Sequence, residues 1–274
     1  MNSLPTLIDA ELVVEDRIAI LTLNRDDVRN ILTGTELVND IVNVSTWVNH
    51  TDQVSVLIIT GAGNAFSAGG NIKDMRDRKG TFGGDVETVQ QNYREGIQRI
   101  PLAINEIQVP VIAAINGPAI GAGFDLACMC DIRIAADTAT MGETFINLGI
   151  IPGDGGAWFL QRIVGYQRAA ELTFSGRVFD AHEAKDLGVV LDVVKSDELL
   201  EHAQKLARGF ASKPPQALRF AKQLIKQAEN TQQNELSSFL DQCGHFQGRC
   251  HNTDDHLEAV NAFIEKRKPE FKGE

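Results

Sequence analysis

The sequence is short of positive charge: 26 Lys and Arg stand against 37 Asp and Glu, a formal net charge of −11. That balance argues against nucleic acid, whose phosphates are held mainly by Lys and Arg, although a local basic patch still suits a phosphorylated small molecule. Tyrosine is scarce too. Tyr93 and Tyr166 are followed four residues on by Ile97 and Ala170, so there is no Tyr-x-x-x-Lys pair. No apolar run approaches the roughly 18 residues of a membrane span. The opening MNSLPTLIDAELVVEDR is acidic and has neither an apolar signal core nor the Arg-rich character of a transit peptide. Four cysteines are too few for a disulfide framework in 274 residues. Cys128 and Cys130, two apart on a helix, face different ways and would not share a metal, so they read as small buried thiols. These deficits predict a protein of the reducing cytoplasm, with no nucleic-acid or membrane partner and no metal.

What is present is an alternation of strand and helix patterns. RIAILTLNR (17–25) and VSVLIITG (54–61) read as strands, and VPVIAAIN (109–116), DIRIAAD (131–137) and LGVVLDVV (187–194) join them. Between the first two, Leu37, Ile41, Val44 and Val48 recur at helical spacing. Residues 86–107 read as one helix after a polar, Gly-rich loop at 76–85. From about Ser196 onward everything reads helical. The pattern is that of an α/β core over residues 1–195 and a helical region over 196–274.

The glycines are concentrated where chemistry would need them. In AINGPAIGAGFDLACMCD (114–131) they crowd the junction of a strand with a helix. Glycine there lets a ligand approach the main chain, and a helix start offers free N–H groups to an anion. The spacing matches a dinucleotide loop, but the motif lies mid-chain and the Tyr-x-x-x-Lys is missing. Close packing alone would also explain one such junction. A second loop of the same design, NAFSAGGNI (64–72), also follows a buried strand. Two strand-end loops with backbone N–H groups suit a carbonyl oxygen that becomes negative during a reaction.

With these segments in view, the chain resembles the crotonase (enoyl-CoA hydratase/isomerase) superfamily. LNRDDVRNIL, VSVLIITGAGNAFSAGGNIKDM, VPVIAAINGPAIGAGFDLACMCDIRIAAD, LGIIPGDGGAWFLQRIVG, FSGRVFDAHEAKDLGVV and AFIEKRKPEF stand in family order over nearly the whole length. The resemblance implies a β-β-α spiral core with a C-terminal helical trimerisation region, as a homotrimer or dimer of trimers. It also implies an acyl-CoA substrate and no cofactor, coenzyme A being part of the substrate. By position the oxyanion-hole donors fall on Ala68 and Ala122. Substrate-binding positions fall on Asn30, Ala65, Gly69, Ile72, Gly121 and Phe145, and Lys266 and Lys268 fall where the family reaches a coenzyme A phosphate.

The acids depart from a hydratase. Of the two glutamates that family hydratases use, the first falls at Asp125 and the second at Phe145, which transfers no proton. Dienoyl-CoA isomerases resemble the chain in the aspartate at 125, but place a second acid where Gly153 stands. A carbon–carbon bond hydrolase of the family shares the PGDG run and uses its aspartate, here Asp154. Asp125, Asp154 and Glu143 are therefore the candidate acid/base residues. The expected activity is hydration or double-bond isomerisation of an enoyl-CoA through a thioester enolate. The alternatives are β-diketone hydrolysis on the same fold, or a silent acyl-CoA-binding scaffold.

Overall fold

A computed structural model describes residues 3–230 and 236–273. Its strands are β1 (Ala10–Glu15), β2 (Ile18–Leu23), β3 (Val56–Gly61), β4 (Val111–Ile115), β5 (Ala119–Ile120), β6 (Ile132–Ala136), β7 (Thr140–Gly142), β8 (Phe179–Asp180) and β9 (Asp192–Val194). The helices up to the middle of the chain are α1 (Leu37–Asn49), α2 (Ile72–Asp77), α3 (Val86–Glu95), α4 (Arg99–Glu106) and α5 (Ala122–Met129). Then follow α6 (Gly156–Val164), α7 (Tyr166–Ser175), α8 (Ala181–Asp186), α9 (Leu199–Ala211), α10 (Pro215–Asn230), α11 (Leu236–His251) and α12 (Asp254–Glu265).

The large sheet has the order β1-β2-β3-β4-β6-β9, and all of its pairs are parallel except the β1–β2 hairpin. Buried on both faces, β3 and β4 are continuous apolar runs, as parallel strands under helices require. Thr60 is the polar exception in β3, and its hydroxyl donates to the Ala114 carbonyl at 2.8 Å. A small sheet, β5-β7-β8, takes the short second strands of successive turns. Strand, short strand and helix recur as β4-β5-α5 and β6-β7-α6, which is the expected spiral. The pattern at 37, 41, 44 and 48 holds, with all four side chains buried on the inner face of α1.

Some boundaries differ from expectation. The 86–107 segment is two helices, because Gly96 leaves helical geometry and Pro101 fits only a first helical turn. The start of the 76–85 loop belongs to α2, whose Asn71 cap accepts from the N–H groups of Lys73 and Asp74. In LGVVLDVV only residues 192–194 pair as a strand. In the 196–274 region, α9 buries Leu199, Ala203 and Ala207 in the same core as the sheet. Helix α10 is pinned by buried Lys222, which donates to Asp131 at 2.6 Å and to the Val109 carbonyl at 2.7 Å. No helix among the described residues is long and apolar enough to cross a membrane.

Candidate active site

Parallel pairing of β3 and β4 puts the loops at their C-terminal ends side by side. The loops are sewn together by main-chain bonds: Phe66 and Ser67 donate to the Pro118 carbonyl, and Ile120 donates back to Ser67. Contact is so close that a Cβ on Gly69 would lie 2.5 Å from the Ile120 carbonyl oxygen and 3.0 Å from the Ala122 nitrogen. The first N–H groups of α5, from Ala122 and Gly123, have no acceptor among the described residues, as a helix start dictates.

Ala68 does not match its expected role. Its N–H donates to the Arg29 carbonyl at 2.9 Å and is not free for a ligand. Two residues on, Gly70 has an N–H with no acceptor among the described residues. The free N–H groups at this junction are therefore those of Gly70, Ala122 and Gly123.

Three carboxyls converge beside it. Asp125 from α5, Glu143 ahead of the turn at 144–148, and Asp154 ahead of α6 are all buried, at 0%, 0% and 3% exposure. A Cβ on Gly156 would stand 2.3 Å from Glu143 Oε1 and 2.4 Å from Asp125 Oδ1, so only glycine lets these acids crowd the start of α6. Both oxygens of Asp125, Oδ1 of Asp154 and Oε1 of Glu143 lack a protein donor among the described residues. The Thr173 hydroxyl donates to Glu143 Oε2. Asp154 does not cap α6, whose cap residue is Gly155 with no side-chain bond.

Unpartnered buried carboxyls resist ionisation. Burial, then repulsion from Asp154 and from Glu143, pushes Asp125 well above the usual carboxylate range, while the nearby Gly156 N–H pulls the other way. Asp154 is also raised by burial, but its hydrogen bond with Asp125 draws it back. Glu143 is raised by burial against the pull of Thr173. Asp125 and Asp154 thus titrate as a unit, both raised by burial.

This arrangement links stability to pH. A carboxyl whose folded pKa exceeds its unfolded value stabilises the fold fully below about pH 4. That contribution is lost as pH rises through the raised folded value. Asp125→Asn removes the dependence and leaves only a pH-independent amide burial cost. The gap between the melting temperatures of Asp125→Asn and the native protein should move in favour of the variant from about pH 5 to 8. A gap constant across that range contradicts the raised Asp125 pKa.

A largely apolar cleft of 480 Å³ is lined by Ile72, Met75, Phe82, Val89, Tyr93 and Ile150, with Arg76 and Arg78 also on its wall. A Cβ on Gly70 would meet the Met75 methyl at 2.6 Å, and one on Gly153 would meet the Tyr93 ring at 3.4 Å. Gly70 and Gly153 thus each lie against a side chain that lines the cleft.

Of the expected substrate contacts, Ile72 lines the cleft, and the half-buried Phe145 ring lies 3.7 Å from the Cβ position of Gly121. Three others make hydrogen bonds within and between the loops. Asn30 is fully buried, with its amide bound to the Ala62 and Ala65 carbonyls and to the Arg25 N–H. The Ala65 carbonyl accepts from the Asn30 and Asn116 amides, while Gly69 donates to Ser67 Oγ and accepts from the Leu32 N–H. Lys266 and Lys268 are exposed at and beyond the end of α12. The sequence reading missed Met75, Phe82 and Tyr93. Only the scarcity of tyrosine marked the last.

A family model described as enoyl-CoA hydratase/isomerase matches residues 14–274. A 2,3-dehydroadipyl-CoA hydratase of Escherichia coli is 36% identical over 96% of this chain and 99% of its own. A 1,2-epoxyphenylacetyl-CoA isomerase of the same organism is 35% identical over 95% and 97%. The crystal structure of an enoyl-CoA hydratase from Bacillus anthracis superimposes with a TM-score of 0.89 at 36% identity, covering 97% of this chain and all of that one.

Proposed function

The chain belongs to the enoyl-CoA hydratase/isomerase family, and from that premise we propose that its carboxyls and free backbone N–H groups perform enolate chemistry on an enoyl-CoA. The thioester oxygen lies between the Gly70 and Ala122 N–H groups, at the positive end of α5. The acyl chain runs into the apolar cleft toward Asp154. Charged Asp154 takes a proton from water as the oxygen adds to the β-carbon, and neutral Asp125 gives its proton to the α-carbon. The proton then passes from Asp154 back to Asp125, and the pair regains its starting state.

The observation that carries this reading is the buried Asp125–Asp154 pair beside the free N–H groups of the junction. No cofactor takes part beyond the coenzyme A of the substrate. Isomerisation is the second reading. Phe145 leaves that side of the pocket apolar, and moving one proton between two carbons needs no water. Exposed Leu257, Val260, Phe263 and Ile264 on α12 support self-association as a trimer or dimer of trimers. The four free thiols suit a cytoplasmic protein.

The test incubates the enzyme with crotonyl-CoA and with a 3-enoyl-CoA in water labelled with oxygen-18. Label in a 3-hydroxyacyl product marks hydration, and unlabelled 2-enoyl-CoA from the second substrate marks isomerisation. If neither thioester reacts and acetoacetyl-CoA, an enolate-like ligand, does not bind at millimolar concentration, the reading is wrong.

A further inference from the structure

A second polar cavity lies at the opposite end of the strands. Arg17 immediately precedes β2, Asp52 lies in the turn before β3 and Gln108 lies shortly before β4. Gln216 and Arg219 come from the first turns of α10, and Arg249 from α11. Together they border a cavity of 220 Å³. The site above uses the C-terminal ends of β3 and β4, so the strands separate the two.

Three guanidiniums meet here with one carboxylate, in a chain whose net charge is −11. Among the described residues their hydrogen bonds and ring contacts are with neutral groups. Arg17 Nη1 donates to the Phe271 carbonyl at 3.3 Å, and Arg219 Nη2 to the carbonyls of Thr51 at 3.1 Å and Val54 at 3.4 Å. The Arg249 guanidinium lies 4.4 Å over the Phe220 ring. Elsewhere Arg25, Arg177 and Arg267 each lie between two carboxylates.

Two further observations single out Arg17. Its Nε is buried and has no hydrogen-bond partner among the described residues. Asp16 and Arg17 also form the β1–β2 turn with φ of 49° and 65°, where the second position of such a turn favours glycine. Arginine is held there against its backbone preference. Arg17 and Arg219 are close enough to repel: burial lowers the Arg219 pKa most, Asp52 raises it, and the Arg17 charge lowers it further.

We propose that this cavity is an anion site for a compact oxyanion of at least two charges, of the phosphate or pyrophosphate class. Guanidinium forks bind such oxygens in bidentate fashion, and the start of α10 adds its positive end. The volume lies below the roughly 300–1,000 Å³ of sites for drug-sized ligands, which favours a small anion. The proposal does not depend on the reaction at the carboxyls.

The same chemistry is available from the side-chain carboxylate of Glu274, which follows the cavity residue Gly273 in sequence. Calorimetry with inorganic pyrophosphate separates the sources, using the full chain, a chain lacking Glu274, and the variants Arg17→Gln, Arg249→Gln and Asp52→Asn. Crotonyl-CoA turnover and the melting curve serve as controls for folding. The full chain should bind at submillimolar concentration. Each Arg variant should bind about tenfold more weakly, and Asp52→Asn more tightly. Binding that appears only after Glu274 is removed overturns the proposal in favour of the chain's own carboxylate. Absence of binding in both chains, or an affinity indifferent to Arg17 and Asp52, overturns it outright.

Discussion

Asp154→Asn is expected to lower enoyl-CoA turnover by about two to four orders of magnitude, the usual contribution of a positioned acid/base. An asparagine keeps the shape but neither takes a proton from water nor passes one to Asp125. Asp125→Asn should fall by a similar factor, because the pair works by holding one proton between two buried oxygens. The double variant is the sharper test. Residues that act as a unit are non-additive, so Asp125→Asn with Asp154→Asn should cost little more than either change alone. Glu143→Gln should cost less, because one Glu143 oxygen already accepts from Thr173 and its role is to raise its neighbour's pKa. Steady-state kinetics decides the matter. Full activity in Asp154→Asn, or losses that multiply in the double variant, would show that the two aspartates do not share the proton.

The three acids were legible because burial of charge leaves a mark in sequence: Asp125 inside an apolar helix start, Asp154 inside PGDG, and Glu143 inside MGETF. Strands β3 and β4 were legible for the complementary reason, an unbroken apolar run that only a doubly covered strand explains. The donor at the first loop was not. Which N–H in SAGG is free depends on the Arg29 carbonyl, a distant backbone group that takes Ala68 and leaves Gly70. Nothing local distinguishes those positions. Asn30 misled in the same way, since its polar side chain serves the Ala62 and Ala65 carbonyls rather than a substrate. Short strands β5, β7 and β8 were invisible because two or three residues carry no period. The cleft was invisible because Met75, Phe82 and Tyr93 come from separate elements that meet only in the fold.

Ala122→Pro is expected to lower kcat by about two to three orders of magnitude, the usual loss on removing one oxyanion donor. Proline deletes the N–H at the first residue of α5, where its ring is tolerated and no intrahelical bond is lost. Gly121 carries φ 54° and ψ −124° ahead of it, a conformation open to glycine, so the chain can enter the helix as before. The remaining donor, Gly70, still fixes the carbonyl, and KM for an enoyl-CoA should change far less than kcat. Acetoacetyl-CoA, whose oxygen carries the negative charge that the two donors meet, should bind at least tenfold more weakly. These two readouts separate a lost donor from a displaced helix, which would raise KM and lower the melting temperature together. A folded Ala122→Pro enzyme with turnover within about threefold of the native rate would remove Ala122 from the site and leave Gly70 without its partner.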